Sequence, residues 1–139
     1  MDTNILASSA IARAGSVADL FNRWRSGHYE LAISGHIIGE LAGVLAKPYF
    51  AARLGEWERA AFLGLVSTVA TNVDITVAIP NVVSDPADNI VLATAESANA
   101  RYLVSGDREL QRLGAYRGIR ILSPSDFLAL LDTEDMPDG

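Results

Sequence analysis

The residues from Asp85 to Asp107 constrain the fold more than any other stretch: Asp-Pro-Ala-Asp-Asn-Ile-Val-Leu-Ala-Thr-Ala-Glu-Ser-Ala-Asn-Ala-Arg-Tyr-Leu-Val-Ser-Gly-Asp spells a helix, then a strand, then a carboxylate. Pro86 has no backbone N–H and a preset φ, so it suits the first helical position, with Asp85 before it as the N-cap. Between Asn89 and Ala100 the only charge is Glu96. Little of that circumference wants water, and the helix is expected to be largely buried. Tyr102, Leu103 and Val104 form a short apolar run of strand type, stopped by Ser-Gly-Asp, where Gly106 lets the backbone turn sharply. Asp107 therefore follows the C-terminal end of a strand, the edge where ligands bind in open α/β sheets. Asp88, at the start of the helix beside it, can converge on the same place.

The flanks alternate helix and strand. Ser16, with Asp19 three residues on and Leu20, Phe21 and Trp24 at helical spacing, predicts a capped helix ending before Gly27. Tyr29, Leu31 and Ile33 alternate with Glu30, Ala32 and Ser34, a period of two that predicts a strand. Ser34 opens a helix with Ile37, Leu41, Val44 and Leu45 on one stripe and Glu40 at its margin, stopped by Pro48. A short helical turn over Tyr49 to Leu54 precedes a helix from Glu56 to Ala70, where Trp57, Ala61, Leu65 and Val69 are spaced as a packing face. Val73, Ile75, Val77 and Ile79 predict a strand up to Pro80. After Asp107 come a short helix with Leu110 and Leu113, a loop bracketed by Gly114 and Gly118, a strand from Ile119 to Leu122, and a helix capped by Ser123-Pro124-Ser125-Asp126 and running to Leu131. This order predicts an α/β domain over residues 1–131 with a mostly parallel sheet of four to five strands flanked by helices. The acidic residues 132–139 are expected to be disordered.

Composition narrows the function less than the pattern does. The chain has no cysteine, which excludes a disulfide scaffold and Cys-ligated zinc and is compatible with the cytoplasm. Its longest weakly polar stretch, Ala60 to Val73, is too short and interrupted to span a bilayer, and a soluble intracellular protein is expected. The net charge is −6, but four acids lie in the last eight residues, so the first 131 carry only −2. Ten of the eleven basic residues are Arg. Arg23, Arg25, Arg108, Arg112, Arg117 and Arg120 form two loose clusters that suit phosphate contacts or simply solvated helix faces. His28 and His36 lack ligand spacing and are read as structural.

The chemistry rests on carboxylates: Asp2, Glu40, Asp88 and Asp107 each fall near the end of a helix or strand. If ionised carboxylates gather about 4 Å apart, each pair repels by roughly 4 kcal/mol at an effective dielectric of 20, so such a cluster needs protons or a cation. Oxygen donors without Cys and with few His select Mg²⁺ or Mn²⁺, ions that activate water and neutralise a phosphoryl group during in-line displacement. Singly, each acid also has an ordinary structural use. Asp88 stands three after Asp85 as the acid of a capping box, Asp107 can cap the helix that follows, Glu40 can face water, and Asp2 can lie in a frayed terminus.

In order and spacing these residues resemble one family over nearly the whole chain, the PIN-domain ribonucleases, particularly the VapC-like toxin components of bacterial toxin–antitoxin pairs. Asp2-Thr3-Asn4 resembles the first acid motif, with Asn4 supporting Asp2. Glu40, within Ser-Gly-His-Ile-Ile-Gly-Glu-Leu-Ala-Gly-Val-Leu-Ala-Lys-Pro, resembles the second. Asp88 in Asp-Pro-Ala-Asp-Asn-Ile-Val-Leu-Ala-Thr-Ala matches the third, and Asp107 in Leu-Val-Ser-Gly-Asp-Arg-Glu-Leu the fourth, with Ser105 beside it. Leu-Ser-Pro-Ser-Asp-Phe-Leu matches the closing strand and helix. No single motif is specific; the joint order is. The resemblance implies a three-layer α/β/α fold and cleavage of single-stranded RNA by a water activated by Mg²⁺ or Mn²⁺ held on Asp2, Glu40, Asp88 and Asp107. It also implies a cognate antitoxin as partner, no membrane, and a homodimer as an allowed state.

One departure stands out. The family has a central strand of about five residues before its first acid, and here only Met1 precedes Asp2. Three outcomes are open: the start lies upstream, residues Asp2 to Ala7 enter the sheet out of place, or Asp2 misses the site. Two other classes compete with the nuclease. A receiver domain gathers acids at strand ends but needs a Lys after its last strand, and the only Lys is Lys47, in a helix. A non-catalytic PIN-like module that binds RNA or protein through a degenerate metal site is the stronger rival.

Overall fold

The computed structural model describes residues 1–134. In chain order these form α1 (Thr3–Ser9), α2 (Ser16–Arg25), β1 (Ala32–Ile33), α3 (Gly35–Leu45), α4 (Pro48–Ala51), α5 (Glu56–Val69), β2 (Thr71–Asn72), α6 (Pro86–Ser97), β3 (Tyr102–Val104), α7 (Arg108–Leu113), β4 (Ala115–Tyr116), β5 (Ile119–Leu122) and α8 (Pro124–Glu134). The central unit forms as its sequence dictates. Asp85 caps α6 by accepting from the Ala87 amide at 2.9 Å, Pro86 stands in the first turn, and six of its residues from Asn89 to Ala95 are buried. The helix ends where Asn99 adopts φ 53°, a left-handed conformation that Asn tolerates and that lets the chain turn into β3.

The strands make an α/β arrangement with mostly parallel pairing, but not one sheet. β1 pairs with β2 in parallel, Ala32 opposite Thr71. β5 pairs in parallel with β3 and antiparallel with β4. Among the described residues the expected sheet of four to five strands is thus divided into a two-stranded and a three-stranded piece. Between them lies a cavity of about 470 Å³. The Asp2–Ala7 segment does not fill it, because Asp2 caps a helix there instead.

Side chains of β3 divide the core. Leu103 packs with Ile33, Ile37, Val91 and Leu92 in one cluster, whereas Val104 packs with Ile5, Leu20, Phe127 and Leu131 in the other. The alternation of a strand puts these on opposite faces, so apolar helices cover both sides of β3.

Several expectations are corrected. The α3 stripe of Ile37, Leu41, Val44 and Leu45 is buried as its spacing predicts, and α2 forms, although Gly15 and not Ser16 is its N-cap. The Tyr29–Ser34 strand shortens to Ala32–Ile33, since only one of its edges finds a partner. Val73 to Ile79 keeps its alternation, with Val73, Ile75 and Val77 half-buried, but among the described residues its strand pairing ends with the bond from the Val73 amide to the Ile33 carbonyl at 2.8 Å. Periodicity fixed its inward side and not its ladder. In α5 the spaced set is the wrong face: Trp57 is 90 % exposed and Val69 46 %, while Val66 is fully buried. Phe62 and Leu63 pack beside it. Gly114 and Gly118 bracket a hairpin rather than a loop, with Arg117 and Gly118 both at positive φ, the signature of a tight two-residue turn. Finally, α8 runs past Leu131 to Glu134, and Asp132 is paired with Arg23 of α2. The rest of the acidic end lies outside the described residues.

The reversed face of α5 has a measurable consequence. Val66→Ala should destabilise the domain by about 2 kcal/mol through the cavity it leaves, while Trp57→Ala should change stability by less than about 0.5 kcal/mol. Urea denaturation of the two variants distinguishes this from the order that spacing alone predicts.

Candidate functional site

The acids approach one another where α1, α3, α6 and α7 begin or turn past the sheet edge. Asp2 is buried and held at three points. Its amide donates to the Val104 carbonyl at 2.9 Å, one carboxylate oxygen accepts from the Ile5 amide at 2.9 Å, and the other accepts a short bond from the Ser105 hydroxyl. The same Ser105 oxygen accepts from the Asp107 amide at 3.0 Å, and its carbonyl accepts from Gln111 Nε2 at 2.8 Å. One fully buried serine therefore couples the first acid to the last. Asp107 caps α7 through the Leu110 amide at 3.0 Å. Its structural use and its position at the strand end are both real.

Asp88 is different. Asp85 does the capping of α6, and among the described residues no hydrogen bond engages the Asp88 carboxyl as a capping box would. Half-buried without such a partner, it is pushed up to about 7, chiefly by burial and then by the charges of Asp85, Asp107, Asp2 and Glu40. The Glu40 carboxyl is also raised, by burial first and then by Asp85 and Asp2, with Thr3 and Lys47 opposing. Thr3 lies near enough to favour the Glu40 anion, yet its buried hydroxyl makes no hydrogen bond of proper geometry. The cluster thus has an all-oxygen donor set, an unsatisfied buried hydroxyl and negative charge in excess of its cations, which suits a hard divalent ion. Among the described residues no three acid or imidazole side chains stand close enough to enclose an ion as they are oriented here.

Of the residues singled out in the sequence, Asp2, Glu40, Asp88, Asp107 and Ser105 are brought within reach of one another's charge or hydrogen bonds. Asn4 is not: it is exposed on the first turn of α1, and the support it was expected to give Asp2 comes from Ser105. Four further contributors lie inside the quoted motifs without a place in the site being read from them. Asp85 acts on both Glu40 and Asp88, and Thr3 lies beside Glu40. Buried Asn89 holds the loop before α6, accepting from the Val82 and Val83 amides at 3.1 and 3.2 Å and donating to the Val83 carbonyl at 3.0 Å. Glu109 accepts from the Ser84 amide and hydroxyl at 2.9 and 3.0 Å, tying α7 to that loop. The available signal for Asn89 was a lone amide ahead of an apolar run. Arg23 and Arg117 pair with Asp132 and Glu96, so the two loose arginine clusters are partly neutralised from within.

The upward shift at Asp88 makes a signed prediction for the metal-free protein. The folded state holds this proton more tightly than the unfolded chain, so the contribution is full below the usual aspartate value of 3.8 and is lost as pH rises through about 7. Asp88→Asn removes that loss. In EDTA the variant should match the parent near pH 4 and exceed it at pH 8 by on the order of 1 kcal/mol, after allowance for solvent screening. Urea melts at the two pH values check it.

No curated protein matches the chain. The family model described as PIN domain matches residues 1–109. That span runs from before Asp2 to just past Asp107, takes in all four acids of the cluster, and covers well over half of the sequence. The chain therefore belongs to the PIN domain family, whose members are generally nucleases and commonly depend on divalent metals.

Proposed function

We propose that this chain is an endoribonuclease dependent on Mg²⁺ or Mn²⁺ that hydrolyses phosphodiester bonds of single-stranded RNA, and that it serves as the toxin of a bacterial toxin–antitoxin pair in the cytoplasm. The observation that carries the nuclease reading is Asp88, a half-buried acid at a helix start with no capping work, its carboxyl raised by burial and then by the acids gathered around it. Among the described residues no helix is long and apolar enough to cross a membrane. The toxin role rests on the sequence resemblance, which brings a cognate antitoxin, and a second copy of the chain, as partners.

Asp2, Glu40, Asp88 and Asp107 would hold the ion, which supplies a lowered pKa for water and charge neutralisation at the phosphate. The chain's own residues do the rest. Both Asp2 oxygens keep lone pairs beyond the bonds from Ile5 and Ser105, so this carboxylate is oriented in advance of any ligand. Glu40 and Asp88 stand at the half-buried rim, both with their protons held more tightly than usual by burial and by the neighbouring acids, Asp88 up to about 7. Ser105 and Gln111 fix the strand end that sets the distance between Asp2 and Asp107.

Asp88→Asn should reduce metal-dependent cleavage of single-stranded RNA by at least roughly a hundredfold, while its melting temperature stays close to that of the parent. Cleavage is read on a labelled oligonucleotide with Mg²⁺, with Mn²⁺ and with EDTA. A variant as active as the parent would leave Asp88 outside the chemistry, whereas a parent that cleaves no RNA with either ion would favour a non-catalytic binding module. Growth arrest on expression, relieved by the product of a neighbouring gene, tests the toxin role separately.

A further inference from the structure

A second, more open cavity, of about 540 Å³, lies where the turn from α1 to α2, the short helix α4 and the start of α8 meet. Ile11, Val17 and Pro124 give it apolar walls, Ser8, Ser16 and Ser125 add hydroxyl groups, and Tyr49 stands on its α4 side. Tyr49 is 57 % exposed, yet its ring does not hang free. The Arg53 guanidinium lies over it, 3.7 Å from the ring centroid, and Arg53 Nη1 donates to the Tyr49 carbonyl at 2.6 Å. The Phe50 ring meets it edge-on, with centroids 5.1 Å apart. An aromatic ring held in this way has little freedom left to lose when a flat ligand stacks on it.

Three walls of the cavity lead back to the acids. α1 starts at Asp2, and at about 1.5 Å per residue Ser8 stands about 9 Å along it. Ser125 follows closely on Leu122, whose carbonyl accepts from the amide of Ser105, the residue that joins Asp2 to Asp107. Lys47, just before α4, bears on the charge of Glu40. The cavity therefore adjoins the acid cluster, but among the described residues no acid lines it. Exposed Arg13 sits on the α1–α2 turn, and exposed Lys47 and Arg53 flank α4. Of the wall residues only Ser125 has an acid next to it in sequence, Asp126. A chain of phosphates can follow these cations while a base turns inward.

Resting on the nuclease reading above, we propose that this cavity seats one unpaired nucleobase of the RNA, stacked on Tyr49, next to the nucleotide whose phosphate meets the acids. A base has apolar faces and a polar edge, and the cavity offers apolar walls with hydroxyl groups among them. A phosphate would leave those walls unused, and an aliphatic side chain of a protein partner would leave the hydroxyls unpaired. The base must also be unpaired, because a base inside a duplex cannot be turned out against an aromatic ring.

The test pairs a protein change with an RNA change. The probes are a labelled single-stranded oligoribonucleotide and a series in which one position at a time is abasic. Binding is read by anisotropy in EDTA, and cleavage separately with Mn²⁺. Tyr49→Ala should keep the melting temperature and the rate at saturating RNA close to those of the parent, and should raise Kd and KM by roughly five- to hundredfold. Tyr49→Phe should bind as the parent does. One abasic position flanking the cut should cost the parent the same factor, and cost Tyr49→Ala nothing further. Unchanged affinity in Tyr49→Ala overturns the proposal, and so does an abasic penalty that is equal in parent and variant. Tyr49→Ala that cleaves as the parent does but escapes the antitoxin would give the surface to a protein instead. A parent that shows the coupling in EDTA and cleaves nothing with Mn²⁺ would sink the nuclease reading and support the base seat.

Discussion

Asp2 is the joint on which the arrangement depends. Its amide extends the edge of β3, one carboxylate oxygen starts α1, and the other takes the Ser105 hydroxyl that also receives the Asp107 amide. A carboxylate serving as an N-cap could be replaced by serine or threonine at small cost. A carboxylate that must also accept from a fully buried serine cannot be, because that hydroxyl would lose its charge-assisted partner. The same three bonds that fold the first turn of the chain hold the first acid beside the last. Local structure and the placing of the first acid therefore use one set of contacts here.

The acids at the rim are less well supported: among the described residues Lys47 alone tempers Glu40, and no cation acts on Asp88. Folding gathers like charges there while hydrogen bonds are spent on Asp2 and Asp107. Burial and the neighbouring charges favour a proton on Asp88. A divalent ion, if bound, would offset the same charge and compete with that proton.

What was legible in the sequence was whatever a single segment determines. Pro86 after Asp85, the buried run to Ala95, the Tyr102–Val104 strand and the α3 stripe all follow from local periodicity and capping, and so do the positions of Asp2, Asp88 and Asp107 at element starts, whereas Glu40 falls in the middle of α3. What was not legible required a partner. Val73–Ile79 alternates as a strand should and pairs only at its entry, and Trp57 shares a helical row with Ala61 yet points to solvent because α5 presents Phe62 and Val66 inward. Arg117-Gly118 is a hairpin turn that its glycine alone did not distinguish from a loop. Asn4 follows the same rule: it neighbours Asp2 in sequence but faces solvent, whereas Ser105 supports Asp2 from across the fold.

The divided sheet follows from the same competition between local and long-range structure. The segment after Met1 could satisfy its backbone either by pairing with β1 and β3 or by closing a helix, and Asp2 decides in favour of the helix by supplying an N-cap at the first opportunity. Ile5 and Leu6 then pack from α1 into the two cores on either side of β3, which a strand at that position would have placed elsewhere. The edges of β1 and β3 are left facing each other across a gap. Open edges of this kind carry unpaired main-chain groups. One of them belongs to the strand that leads through Val104 into Ser105, so the gap and the bonds that hold Asp2 share β3.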